Sequence, residues 1–182
     1  MIYTDQTAAM KNGAPCIIRS PGPSDGAAIL DLMRTTSEET TFMARYADEI
    51  TITVEEEQSF LEKIASSPAD IMICAVIDGR IVANSGINPV NSYERGHHRA
   101  AFGISILKQY WNLGIGSLLL PAIIDSARAM HYEQIELDAV HENTRAISLY
   151  KKFGFRQCGL LPNAFKYRDN AYADSVLMVL EL

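Results

Sequence analysis

The run Tyr110-Trp111-Asn112-Leu113-Gly114-Ile115-Gly116-Ser117 has the residue types and spacing to hold an anion. It lies between an apolar strand-like stretch, 100–107, and a helix-like stretch that continues to about Met130. The first N–H groups of a helix have no acceptor within the helix, and the dipole adds partial positive charge there. Gly114 and Gly116 carry no Cβ, so the chain can turn sharply and a pyrophosphate can approach the amides from Leu113 through Ile115 to Ser117. The expected ligand is a phosphate-bearing cofactor held mainly by backbone. Two familiar phosphate motifs are excluded. Leu119 stands where the dinucleotide fingerprint needs its third glycine, and no Gly-Lys-Ser/Thr follows at P-loop spacing.

A second constellation lies downstream. Residues 135–140 (IELDAV) alternate as a strand should, with Glu136 and Asp138 on one face and Leu137 and Ala139 on the other. They lead into Asn143-Thr144-Arg145-Ala146-Ile147-Ser148-Leu149-Tyr150-Lys151-Lys152-Phe153-Gly154-Phe155. Asn143 and Tyr150 are two helical turns apart and can share a helix face. Asn143 immediately precedes the helical run and can also cap it.

On these residues the chain resembles the GNAT superfamily of acyl-CoA-dependent N-acetyltransferases. The family's pyrophosphate motif, Gln/Arg-x-x-Gly-x-Gly/Ala, falls on residues 111–116, with Trp111 in place of the usual Gln or Arg. Its later motif, Asn-x-x-Ala-x-x-Leu-Tyr-x-x-x-Gly-Phe, is matched by Asn143, Ala146, Leu149, Tyr150, Gly154 and Phe155. The likeness in element order runs from about Ile17 to the C-terminus and is specific from Ala101 to Phe155.

The resemblance implies a single-domain α/β GNAT fold, a mixed central sheet with flanking helices and a splayed pair of strands at the cofactor site. It implies acetyl-CoA as co-substrate, its pyrophosphate on Trp111, Asn112, Leu113, Gly114, Ile115, Gly116 and Ser117. Its pantetheine arm would pair with the strand carrying Ile104 and Ile106, and Asn143 and Ala146 would also line the cofactor. Tyr150 would stand beside the sulfur, where a phenol can give the departing thiolate a proton or a hydrogen bond. The alternative for Tyr150 is a ring that caps the core. Trp111 either stacks on the adenine or packs the helix start against the sheet.

The amine acceptor must lose a proton before it attacks, so a base or water chain is expected. Glu38, Glu39, His97, His98, Glu136 and Asp138 are the candidates, with Glu39 leading. The adjacent histidines in a polar loop read as surface residues, and no spacing suggests a metal. The acid run Glu55-Glu56-Glu57 reads as a complement to the dipole of its helix. The expected reaction is direct attack on the thioester within a ternary complex. Its acceptor is a primary amine of a small molecule or a protein N-terminus. The rival is a non-catalytic acyl-CoA-binding or sensing module of the same fold.

Composition sets the outer bounds. A chain of 182 residues supports one sizeable core, and 48% hydrophobic with 21% charged residues is ordinary for a globular domain. A net charge of −6 disfavours a nucleic-acid partner and suits a cationic amine. Three dispersed cysteines, Cys16, Cys74 and Cys158, read as free thiols in a reducing cytoplasm. Residues 1–11 do not read as a signal peptide, no apolar run is long enough to span a bilayer, and a homodimer is left open.

Along the chain, residues 1–14 read as a loose lead-in to a GNAT domain over 15–182, with a first strand at 16–19. Ser24 is expected to cap a helix to about Arg34, followed by a loop over 35–50. The capping box of Thr53 and Glu56 opens a second helix to about Ala65, and Asp78-Gly79 joins strands 71–77 and 81–87 in a hairpin. After Phe155, strands are expected near 156–160 and 175–180, with a polar loop between them.

Overall fold

The computed structural model describes all residues, Met1–Leu182. Eight strands form one sheet: β1 (Gln6–Ala9), β2 (Pro15–Arg19), β3 (Ile71–Ile77), β4 (Arg80–Pro89), β5 (Arg99–Ile106), β6 (Gln134–Val140), β7 (Arg156–Lys166) and β8 (Tyr172–Glu181). Four helices join them: α1 (Gly26–Glu39), α2 (Val54–Ser66), α3 (Ile115–Ala129) and α4 (Thr144–Lys152). The sheet order is β1-β2-β3-β4-β5-β6-β8-β7, and β5–β6 is the one parallel neighbour pair. This is a single α/β domain of mixed sheet and flanking helices, as the sequence implied. None of the helices is long and apolar enough to cross a membrane.

Both α1 and α3 pack on β4 and β5. β3 and much of β4 are buried on both faces, which places the two helices on opposite sides of the sheet. Leu119, Leu120 and Ile123 of α3 are fully buried on one side, and Ile29 and Leu32 of α1 on the other. Local signals place several elements as expected. Thr53 accepts from the Glu56 N–H while Glu56 accepts from the Thr53 N–H, and Asp78 and Gly79 both take positive φ in the β3–β4 turn.

Other elements differ from their sequence-based expectation, each for a tertiary reason. Residues 6–9 of the lead-in form the edge strand β1, paired with β2. Ser24 does not cap α1, because it lies inside a 3-10 turn, Pro23–Asp25. The Asp25 carboxylate anchors that turn instead, accepting from the Gly22 N–H at 2.8 Å and from both Arg19 amino groups at 2.7 and 2.9 Å. A charge-assisted fork of this kind outcompetes a lone hydroxyl. α1 runs to Glu39 rather than Arg34, since Thr36 and Ser37 are buried and packing overrides weak propensity. β7 continues through Pro162 to Lys166, shortening the expected polar loop; a proline is tolerated because β7 is an edge strand.

The Arg19–Asp25 fork generates a stability prediction. Arg19 holds the Asp25 carboxyl below the usual carboxylate range, so its stabilisation is present above the unfolded-state value and lost as pH falls through the lower folded value. Asp25→Asn should cost about 1–3 kcal/mol at pH 7 by urea unfolding. The gap to the parent should close as pH falls below about 4; a gap that persists there would contradict the assignment.

Candidate active site

β5 and β6 pair only at Arg99–Gln134, Ala100–Ile135 and Ala101–Glu136, and then separate. Arg99 and Glu136 form a bidentate ion pair at the last paired rung, with Gln134 donating to the same carboxylate. Beyond it, Phe102 of β5, Tyr150 of α4 and Phe155 cluster between the strands, with ring centroids 5.8–6.4 Å apart. The Leu107 N–H donates to Val82 and the Arg99 carbonyl accepts from Val90, so odd-numbered residues of β5 turn their backbone groups toward β4. Alternation then turns Phe102, Ile104 and Ile106 toward the gap. The Ile106 carbonyl accepts from the Trp111 indole N–H at 2.8 Å, which pins the end of β5 to the following turn.

That turn has an unusual backbone. Asn112 and Gly114 take φ of 66° and 91°, and the N–H groups of Asn112, Leu113, Gly114, Ile115 and Gly116 donate to no protein acceptor. Ser117 already donates to the Gly114 carbonyl at 2.9 Å, so the open cradle ends at Gly116. The two glycines are needed for different reasons. Gly114 permits the left-handed turn, and Gly116 lets α4 approach, since a Cβ there would meet Leu149 Cδ2 at 2.6 Å. The Gly116 N–H itself remains without a protein acceptor, on the open side of the turn.

The turn opens a cleft of about 1260 Å³ that passes through the β5–β6 gap to the α1–α2 side. The sequence-predicted residues Ile104, Ile106, Trp111, Asn112, Gly114, Ile115, Gly116, Ser117, Asn143, Ala146 and Tyr150 all line it. Leu113 does not, its carbonyl accepting from the Lys11 N–H at 2.9 Å. Asn143 caps α4 by accepting from the Ala146 N–H while also facing the cleft. Tyr150 is 7% exposed, and burial, with a smaller contribution from the charge of Asp138, pushes its hydroxyl well above the usual phenol range. It stays protonated at any ordinary pH.

The candidate bases separate. Asp138 lines the cleft near Tyr150 and accepts from Ser175 Oγ at 3.3 Å. Glu136 is committed to Arg99, which holds its carboxyl below the ordinary range. Glu38 and Glu39 stand on the last turn of α1 and face a second cleft of about 960 Å³. The Glu39 carboxylate accepts from the Lys108 N–H at 2.6 Å, and the leading sequence candidate lines the second cleft rather than the one that holds Tyr150. The rings of His97 and His98 lie 6.4 Å apart and perpendicular, outside both clefts.

Several residues of the cleft escaped the sequence reading. Lys11, from the lead-in, lies against Gly114, and Arg145 stacks 4.2 Å above the Trp111 ring. Glu57 is 3% exposed on the wall formed by α2. A signal for it existed: Val54, Glu57, Leu61 and Ile64 fall on one helical stripe, in which an acid is out of place. Lys11 and Arg145 thus stand at the turn, while Glu57 lies on the α2 wall with Arg45 near it.

Comparison with known proteins places this geometry. The Acetyltransferase (GNAT) family profile matches residues 30–155. An L-amino acid N-acetyltransferase of Escherichia coli (strain K12) is 28% identical over 134 residues, 73% of this chain and 82% of that protein. A GNAT-family acetyltransferase from Streptococcus pneumoniae is 32% identical, covering 92% of this chain and 99% of that one with a TM-score of 0.88. A GNAT superfamily phosphinothricin acetyltransferase from Sinorhizobium meliloti, crystallised with acetyl-CoA, shares the fold at 15% identity, 92% and 88% coverage and a TM-score of 0.81.

The left-handed turn carries its own test. Gly114→Ala forces a Cβ into positive φ and to 3.0 Å from Lys11, and should cost about 1–2 kcal/mol in chemical denaturation. An unchanged unfolding midpoint would mean that the turn readily adopts another conformation.

Proposed function

The chain belongs to the acetyltransferase (GNAT) family, and from that premise we propose that its cleft holds acetyl-CoA and a primary amine together and transfers the acetyl group directly. One observation carries the reading: the free backbone groups of the β5 gap, the unpartnered amides of 112–116 and the Tyr150 hydroxyl all open on one cleft. A pyrophosphate matches those amides and the adjacent Lys11, and a pantetheine arm, with its amide groups, matches an unpaired strand edge. Bound there, acetyl-CoA supplies an activated acetyl thioester.

The protein's part is positioning and proton management. Ile104 and Ile106 offer backbone N–H groups toward the gap beyond the last paired rung, and one of them polarises the acetyl carbonyl as the amine adds. Asp138 takes the proton released by the amine, directly or through water, a role we assign to it instead of Glu39. As the carbon–sulfur bond breaks, Tyr150 donates its proton to the thiolate and regains one from solvent. Burial keeps that proton on the phenol until sulfur takes it. No covalent acyl-enzyme is needed. Cys16 and Cys74 are buried, burial pushes the Cys74 thiol up to about 12, and neither lines the cleft. The acceptor is a cationic amine attracted by the carboxylates Glu56, Asp70 and Asp138 of the cleft.

Steady-state kinetics of Tyr150→Phe test the assignment. Turnover should fall about 10–100-fold, with the Michaelis constant for acetyl-CoA changed by less than about twofold. Turnover equal to the parent would make Tyr150 a packing residue.

A further inference from the structure

Glu57 is a buried acid without a partner. Its Oε1 is one of two buried side-chain polar atoms in the protein that make no hydrogen bond, the other being Ser37 Oγ. The residue is 3% exposed, yet it forms part of the cleft wall beside Phe60, Ile64 and Ile52. A buried carboxylate left unpaired is costly, and here burial raises its proton affinity while the charge of Arg45 opposes that shift without an ion pair. Neither neighbour fixation nor capping accounts for it: the box at the start of α2 uses Glu56, and Glu55 is solvent-exposed.

Its position separates it from the reacting centre. α2 packs on α1 and on β3, and β3 lies two strands from β5, a separation of about 10 Å in the sheet, so Glu57 lies on a different wall of the cleft from Tyr150. The intervening wall, Phe60, Ile64, Met72 and Met33, is apolar and suits an alkyl chain. We propose that Glu57 pairs with a second cationic group of the acceptor, so that the preferred substrate carries its reacting amine and a further ammonium or guanidinium about 10 Å apart across an aliphatic spacer. This rests on the reading that the cleft seats an acetyl donor and an amine. The same chemistry occurs in a free aliphatic diamine and in a peptide with a basic side chain near its N-terminus.

The test pairs rates with binding. Acetylation is followed by free-thiol release with hexan-1-amine, hexane-1,6-diamine, and tripeptides with lysine or alanine at the second position. Binding of the same diamine to the CoA-loaded protein is measured by calorimetry. The parent should prefer one dication over its monocationic counterpart by about tenfold or more in kcat/KM. Glu57→Gln should abolish that preference and weaken diamine or lysine-peptide binding to match, while hexan-1-amine turnover and the acetyl-CoA Michaelis constant hold. Glu57→Asp, which keeps the charge, should retain part of the preference, and whichever acceptor shows it identifies the source. A parent without dication preference or dication binding, or a preference unchanged in Glu57→Gln, overturns the proposal. If no amine is acetylated but the diamine binds in a Glu57-dependent way, the cation site stands and the transferase reading of the cleft fails.

Discussion

The parting of β5 from β6 after Ala101 and Glu136 is the constraint on which the rest of the site depends. A parallel pair in the middle of a sheet would ordinarily bond along its whole length, and unpaired backbone groups must find other partners. The Arg99–Glu136 fork ties the paired end, and Phe102, Tyr150 and Phe155 pack on one another, with Phe102 and Tyr150 lining the cleft that opens beyond it. The Tyr150 ring is therefore part of that packing, whereas its hydroxyl is free for chemistry.

From the gap, position and charge follow in sequence. Trp111 ties the last carbonyl of β5 to the turn, Lys11 buttresses that turn from the N-terminal edge, and α3 begins with its first N–H groups unspent. Lys11 and Arg145 stand at the turn, and Arg45, Lys152, Glu56, Glu57, Asp70 and Asp138 stand among the other groups that line the cleft. Such a layout suits the proposed pairing of a donor that is anionic at one end with a cationic acceptor. It does so within a domain whose net charge is −6, so the cationic turn is a local feature that overall composition would not reveal.

What was legible in the sequence was what is decided within a few residues. The Thr53–Glu56 box, the Asp78-Gly79 turn, the Asn143 cap and the order of elements from β5 to α4 depend on neighbours in the chain, and each stands where its pattern implied. The residues that line the cleft beside the turn were legible because the turn and α4 carry a recognisable motif. Where partners come from afar, the sequence misled. Asp25 displaced Ser24 because Arg19 reaches it from β2. Lys11 entered the cleft only through the pairing of β1. Glu57 was hidden in a run of three acids whose members have different environments, and only the apolar stripe across α2 distinguishes it.

The most direct test of the account is amide hydrogen exchange with and without acetyl-CoA. Free backbone groups in the gap and the turn should become protected together when the co-substrate binds, because both are unpartnered in the protein alone. The account predicts slowed exchange at Ile104, Ile106 and Asn112 to Gly116, with little change along β1, β7 and α2. Protection confined to other segments, with these amides exchanging at their original rates, would contradict it.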